Sequence, residues 1–154
     1  MINVTKELNG GTLTVRMVGS IEETVNFEEL IGTPPQELVV STKEISRINS
    51  VGVKGWIKYF QGLSSRGVRI RFIECSTSIV EQINLISNFT CGGSVESIFV
   101  PFACNNCKSE LVGLFTTQSL KDSGLAIPSV KCGKCGGTAE FDDIPEEYLG
   151  FLER

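Results

Sequence analysis

Glu37-Leu38-Val39-Val40-Ser41-Thr42-Lys43-Glu44-Ile45-Ser46-Arg47-Ile48-Asn49-Ser50-Val51-Gly52-Val53-Lys54-Gly55-Trp56-Ile57 changes its hydrophobic period partway along. Residues 37–41 hold three consecutive apolar residues, a pattern that suits a central strand buried on both faces. Past the polar stretch, Val53, Trp56, Ile57, Phe60 and Leu63 recur at helical spacing and form one apolar stripe. Lys54 and Lys58 lie four apart on another face of the same helix. Asn49 or Ser50 supplies the helix cap. Strand, turn and capped helix in this order imply a sheet with helices packed on it.

The flanking segments extend the pattern. Residues 2–8 and 12–18 alternate weakly around Asn9-Gly10-Gly11, a hairpin signal. Residues 21–31 are Glu-rich, with Phe27, Leu30 and Ile31 at helical spacing, and Pro34-Pro35 ends that short helix. Gly67-Val68-Arg69-Ile70-Arg71-Phe72-Ile73 alternates as a strand. Residues 77–89 carry Ile79, Val80, Ile83, Ile86 and Phe89 as a second amphipathic helix. Residues 95–102 read as a last strand that runs directly into Cys104. The fold class is therefore α/β, a mixed sheet flanked by helices.

Cys104-Asn105-Asn106-Cys107 and Cys132-Gly133-Lys134-Cys135 carry the strongest chemical signal. A Cys-x-x-Cys turn aims two thiolates at one point, and two such turns supply four soft ligands for a structural zinc ion. Gly133 and Gly136 suit the tight turns. The arrangement looks like a zinc ribbon, with a strand pair expected between the two turns. Four thiolates close the coordination sphere, and the chain has no histidine, so a catalytic zinc is disfavoured. Two disulfides, or a redox pair, are the competing readings. Cys75 and Cys91 lack partners at metal spacing and read as structural thiols, since no histidine is present to lower their pKa.

The 154 residues suffice for one domain of about 100 residues and a small module. The expected division is residues 1–100 and residues 101–154. No apolar run approaches the ~18 residues of a membrane span. No export signal is visible at the N-terminus, so the expectation is a cytoplasmic protein, where reducing conditions suit zinc thiolates. Charge is uneven. Residues 101–154 hold five Lys/Arg against eight Asp/Glu, hence −3, and four thiolates with one zinc add −2. That sign repels a phosphate backbone and disfavours nucleic acid as a partner. Lys43, Arg47, Lys54, Lys58, Arg66, Arg69 and Arg71 bias the middle of the chain the other way. They are either a solvated face or a docking patch for an acidic partner, or for the chain's own acidic half. Trp56, the sole tryptophan, belongs to the apolar stripe and reads as core. Residues 142–152 show helix-start signals and an apolar surface on two turns, too short to be stable without packing.

The element order and the Asn49-Ser50-Val51-Gly52-Val53 stretch together resemble a STAS domain, the fold of bacterial anti-sigma-factor antagonists. The preceding Leu38-Val39-Val40, the following Gly55-Trp56-Ile57 helix, the 67–73 strand and the 78–89 helix sit where that family places them. The resemblance covers roughly residues 2–100. It implies a non-catalytic regulatory protein that binds a protein partner, such as an anti-sigma-type kinase, through the signature loop and the helix after it. The candidate partner residues are then Asn49, Ser50, Val51, Gly52, Lys54 and Lys58. The family's phosphoacceptor position falls on Val51, which has no hydroxyl, and its signature aspartate falls on Asn49. Ser50, one residue earlier, is a helix cap, a displaced phosphosite or a ligand contact. The alternatives from other classes are a transcription-associated nucleic-acid-binding ribbon protein and a thiol-based redox protein.

Overall fold

The structure, a computed structural model, describes residues 2–22 and 25–153. Two sheets organise it. The first runs in the order β1 (Asn3–Asn9), β2 (Thr12–Ile21), β3 (Glu37–Ile48), β4 (Arg69–Ile73) and β5 (Ser94–Val95). The β1–β2 hairpin is antiparallel, and every later pairing is parallel. Helices α1 (Phe27–Leu30), α2 (Ser50–Ser65) and α3 (Thr77–Leu85) form the crossovers. This is the expected α/β architecture.

The core of this layer is aromatic. Trp56 is fully buried, and its ring stacks on Phe89 at 4.8 Å with an 11° interplanar angle. Phe60 and Phe72 close the other sides of the indole. The buried indole N–H donates to the Phe89 carbonyl at 2.9 Å, so the polar end of the ring is satisfied inside the core. Leu13, Val15 and Met17 of β2 and Leu38 and Val40 of β3 present the opposing apolar surface. The outward sheet face carries charge instead, and its arginines are paired: Arg16 with Glu74, Arg69 with Glu37 and Arg71 with Glu96.

Several elements differ from the sequence reading. The central strand does not end at Ser41 but continues to Ile48, because β2 extends alongside it and pairs Gly19 with Ile45 and Ile21 with Ile48. The helix expected over 21–31 is a single turn at Phe27–Leu30, capped by Asn26, and residues 23 and 24 of that expectation lie outside the described residues. The helix expected over 77–89 stops at Leu85, and Phe89 reaches the core from the turn that follows.

The strand expected over 95–102 is two strands. Ser94–Val95 ends the first sheet, and β6 (Ser97–Cys104) is an inner strand of a second one. That sheet runs β7 (Glu110–Thr116), β6, β9 (Thr138–Phe141), β8 (Val130–Lys131), antiparallel throughout. The change of sheet falls at Glu96, so a division after residue 100 cuts through β6. The residues between the cysteine pairs do not form a strand pair of their own. They supply β7, the short helix α4 (Thr117–Asp122) and β8, and the pairing runs to β6 and β9. The chain ends in α5 (Pro145–Tyr148) and a 3-10 turn over Gly150–Glu153. These pack intramolecularly: Leu149 and Tyr148 are buried, Asn84 of α3 donates to the Tyr148 carbonyl at 2.8 Å, and Phe151 N–H donates back to Asn84 at 2.9 Å. No described helix is long and apolar enough to cross a membrane.

Gly52 marks the tightest contact between α2 and the sheet. A Cβ there would sit 2.3 Å from the Ile21 carbonyl oxygen, so α2 can start at this height only without a side chain. Gly62, further along α2, meets nothing closer than the end of Arg66 at 3.8 Å. We expect Gly52→Ala to lower the unfolding free energy by about 3 kcal/mol through overpacking. Gly62→Ala should raise it by roughly 0.5–1 kcal/mol through helix propensity. Urea titrations followed by Trp56 fluorescence separate the two, and equal midpoints for both variants would contradict the packing.

Candidate metal centre and signature loop

Two hairpins build the metal centre. Strand β6 delivers Cys104 and β7 leaves after Cys107; β8 delivers Cys132 and β9 leaves after Cys135. The two turns are near copies. Lys108 N–H donates to the Cys104 carbonyl at 3.1 Å, and Gly136 N–H donates to the Cys132 carbonyl at 2.9 Å. Cys104 N–H donates to Ser109 O at 2.9 Å, and Cys132 N–H donates to Gly137 O at 2.8 Å. Both turns need a residue with positive φ just after their second cysteine. Gly136 takes φ 75 without strain, whereas Lys108 takes φ 62 as a non-glycine residue.

All four Sγ atoms lie within 4.8 Å of one another. Cys104 and Cys135 are 3.5 Å apart, and Cys107 and Cys132 are 3.7 Å apart. These separations are far beyond a disulfide bond of about 2 Å. They match the edge of a tetrahedron around an ion with metal–sulfur bonds of about 2.3 Å, which is about 3.8 Å. Donors surround the sulfurs as they would thiolates: Asn106 N–H and Cys107 N–H point at Cys104 Sγ at 3.4 Å each, and Gly137 N–H at Cys135 Sγ at 3.3 Å. Ser109 Oγ lies 3.2 Å from Cys107 Sγ, and this hydroxyl is the main reason that thiol is pushed down to about 6. The four expected ligands are thus brought together, and the donor set fits a metal ion.

Gly137 is the residue the sequence reading missed. A Cβ there would meet Asn106 Cβ at 2.9 Å, Cys135 Sγ at 3.2 Å and Cys104 Sγ at 3.4 Å. Its signal was present as the second glycine of Cys135-Gly136-Gly137. Of the two glycines singled out, Gly136 has the positive φ, while Gly133 stands in open space.

The remaining cysteines are a different kind of thiol. Cys75 is fully buried, and burial pushes it up to about 12. Burial also raises Cys91. Neither is placed to act as a thiolate near neutral pH.

The loop that resembles the signature lies at the C-terminal ends of β2 and β3. Asn49 N–H donates to the Ile21 carbonyl at 3.1 Å, which locks the loop onto β2. Asn49 is the N-cap of α2: its side-chain oxygen accepts from Gly52 N–H at 2.8 Å. Ser50 is therefore the first helical residue and not the cap, a correction to one of its expected roles. Ser50, Lys54 and Lys58 are exposed, Val51 is 48% exposed, and Gly52 is buried against Ile21. Val51 and Lys58 border a groove of about 560 Å³ between α1 and α2, with Arg66 at its other end. Of the wider set of basic residues, Arg47, Arg69 and Arg71 are paired with glutamates of the first sheet or its loops, not with the acidic C-terminal half.

No protein-family model matches the chain, and no curated protein matches it.

Two outcomes are expected from the thiols. Cys135→Ser should abolish stoichiometric metal binding, read by elemental analysis, and add an early urea transition in far-UV circular dichroism. The Trp56 fluorescence transition, which reports the first layer, should persist; a single unchanged transition in both signals would refute this. Cys75 supplies a second check. Its proton is held to a higher pH in the folded than in the unfolded chain, so its share of stability is complete below about pH 8.5 and is lost as pH rises towards 12. Stability should fall by about 1.4 kcal/mol per pH unit for this thiol over that window. A flat profile between pH 9 and 10.5 would show that the thiol is not held neutral.

Proposed function

We propose that this chain is a non-catalytic regulatory protein that binds a protein partner through a STAS-like surface and carries a structural zinc ion in its ribbon. The observation that carries the reading is the loop at the end of β3. Asn49 caps α2, Gly52 lets the helix start against β2, and the exposed Ser50, Val51, Lys54 and Lys58 face outward together. The adjoining groove offers an apolar edge at Val51 and cations at Lys58 and Arg66, features of a protein-docking surface.

Zinc is the proposed ion because four thiolates in a tetrahedron are its preferred structural set. Cys104, Cys107, Cys132 and Cys135 would hold it, and its role is to fix the two turns. A closed four-sulfur shell leaves no position for water or substrate. The cytoplasm, where thiols stay reduced, is the proposed compartment. A nucleic-acid-binding role has less support, since the C-terminal half carries more carboxylates than cations. A redox role has less support too, since the sulfur separations are those of ligands and not of a bond.

Affinity capture without chelators, comparing wild type with Ser50→Glu, tests the reading. The added charge stands on the exposed first turn of α2 and should cut recovery of a protein partner at least tenfold. Recovery of the same proteins by both forms, or of nucleic-acid machinery, would sink it.

A further inference from the structure

The four sulfurs are not equally sheltered. Cys104 and Cys132 are buried, whereas Cys107 and Cys135 stand exposed. The exposed pair is the pair that polar side chains cover. Asn106 directs its Nδ2 to Cys135 Sγ at 3.5 Å, and Ser109 Oγ lies 3.2 Å from Cys107 Sγ. A ligating thiolate carries no proton, so it can only accept. The amide NH2 and the hydroxyl are then the donors.

Both donors belong to the first turn. Matching backbone bonds set the two turns in register, Cys104 with Cys132 and Ser109 with Gly137. The position of Ser109 is thus a glycine in the second turn, and Asn106 corresponds to Lys134. The second turn makes room for a side chain of the first. A Cβ on Gly137 would stand 2.9 Å from Asn106 Cβ, so its absence leaves the place that Asn106 occupies beside Cys135. Asn106 also donates its backbone N–H to Cys104 Sγ at 3.4 Å. One residue therefore touches a sulfur of each turn and spans the centre.

Four thiolates around a divalent ion leave an excess of negative charge. Donors aimed at the sulfurs spread that charge, favour thiolate over thiol and fix the ligands in place. A chelator takes the metal by displacing one sulfur first, and the released thiolate then takes up a proton from water. The exposed sulfurs are the ones it can reach. We propose that Asn106 and Ser109 are positioning residues that pin these two exposed ligand sulfurs and so set how slowly the centre gives up its metal. The proposal rests on the four cysteines holding an ion, and it does not depend on the surface at Ser50.

The test uses the full chain, loaded with cobalt(II) for spectra and zinc(II) for kinetics. The wild type should show the intense visible bands of tetrahedral cobalt and a thiolate-to-cobalt charge-transfer band. Asn106→Ala and Ser109→Ala should keep the visible bands, which report an assembled site. Their charge-transfer band should move to longer wavelength, because a thiolate that has lost a donor gives up an electron more easily. Zinc transfer to the coloured chelator pyridylazoresorcinol should be at least tenfold faster in each, within the ~10–100-fold range of outer-shell partners. Ser109→Thr keeps a hydroxyl and should restore the wild-type rate and band. Asn106→Leu keeps the volume without the donor and should release zinc as fast as Asn106→Ala. Asn105→Ala, at an exposed position on the same turn, should change the rate less than twofold. Release from Asn106→Ala and Ser109→Ala within twofold of wild type, an unmoved charge-transfer band, or a wild-type rate in Asn106→Leu would overturn the proposal and leave the metal centre standing. A wild type without tetrahedral cobalt bands would overturn the metal centre, and the proposal with it.

Discussion

One residue, Glu96, stands between the last strand of a parallel sheet and an inner strand of an antiparallel one. That leaves the chain no slack, and the placement of the metal centre follows from it. Glu96 N–H donates to Phe72 O at 2.8 Å, holding the exit from the first sheet. Cys75 then donates to Ser97 O at 3.1 Å and accepts from Phe99 N–H at 2.8 Å, so the chain after β4 pairs with the start of β6. Thr117 N–H closes the same point from the far side, onto Glu96 O at 2.9 Å. The second sheet is thereby tied to the first by backbone bonds. The C-terminal turns reinforce the joint: Tyr148 donates its hydroxyl to the Phe99 carbonyl, and Asn84 bridges Tyr148 and Phe151.

This joint divides the mechanical work. Near it, Ile98, Val100 and Phe102 of β6 are buried in a core continuous with that of the first layer. At the distal end the sheet narrows to two turns around four sulfurs, where little apolar surface is available. A metal ion held by the four sulfurs would replace the missing core there, as small modules require. The close approach of Gly137 to the sulfurs belongs to the same economy of space: the two turns meet so tightly that one backbone position can carry no side chain.

How much of this was legible in the sequence follows from the range of the forces involved. Local and periodic signals read correctly: the hairpin around Asn9-Gly10-Gly11, the apolar stripe with Trp56, and the spacing of the four cysteines. Signals set by distant partners did not. Residues 95–102 read as one unbroken strand with no turn residue at Glu96, so nothing local announces that the chain changes sheet there. The continuation of β3 to Ile48 depends on the length of β2. The cap was open between Asn49 and Ser50, because both side chains can accept from a helix N–H, and only the chain path that joins Asn49 N–H to Ile21 settles it. Phe89 kept its buried role although its helix ended four residues earlier, because the core needs the ring and not the helix.

On the proposed reading, the loop over residues 49–53 differs at two positions from the signature of the family it resembles, while its architecture is kept. An aspartate at position 49 would cap α2 equally well and add a negative charge at the helix start. Asparagine keeps the capping oxygen, at 2.8 Å from Gly52 N–H, without the charge. Valine at position 51 puts a half-exposed apolar side chain where the resembling family carries a phosphorylatable hydroxyl. On the proposed reading, the surface has exchanged a charge-controlled switch for apolar area and two flanking lysines. Binding there would be governed by the partner's concentration and by ionic strength, since exposed cations such as Lys54 and Lys58 are screened by salt. Ser50 is the one hydroxyl left within the loop. It stands on the first turn, where a phosphate would be stabilised by the helix N-terminus and would at the same time repel a partner selected for facing cations. Those opposing effects act on different partners of the same group, so a modification at Ser50 would strengthen the helix start while weakening the complex.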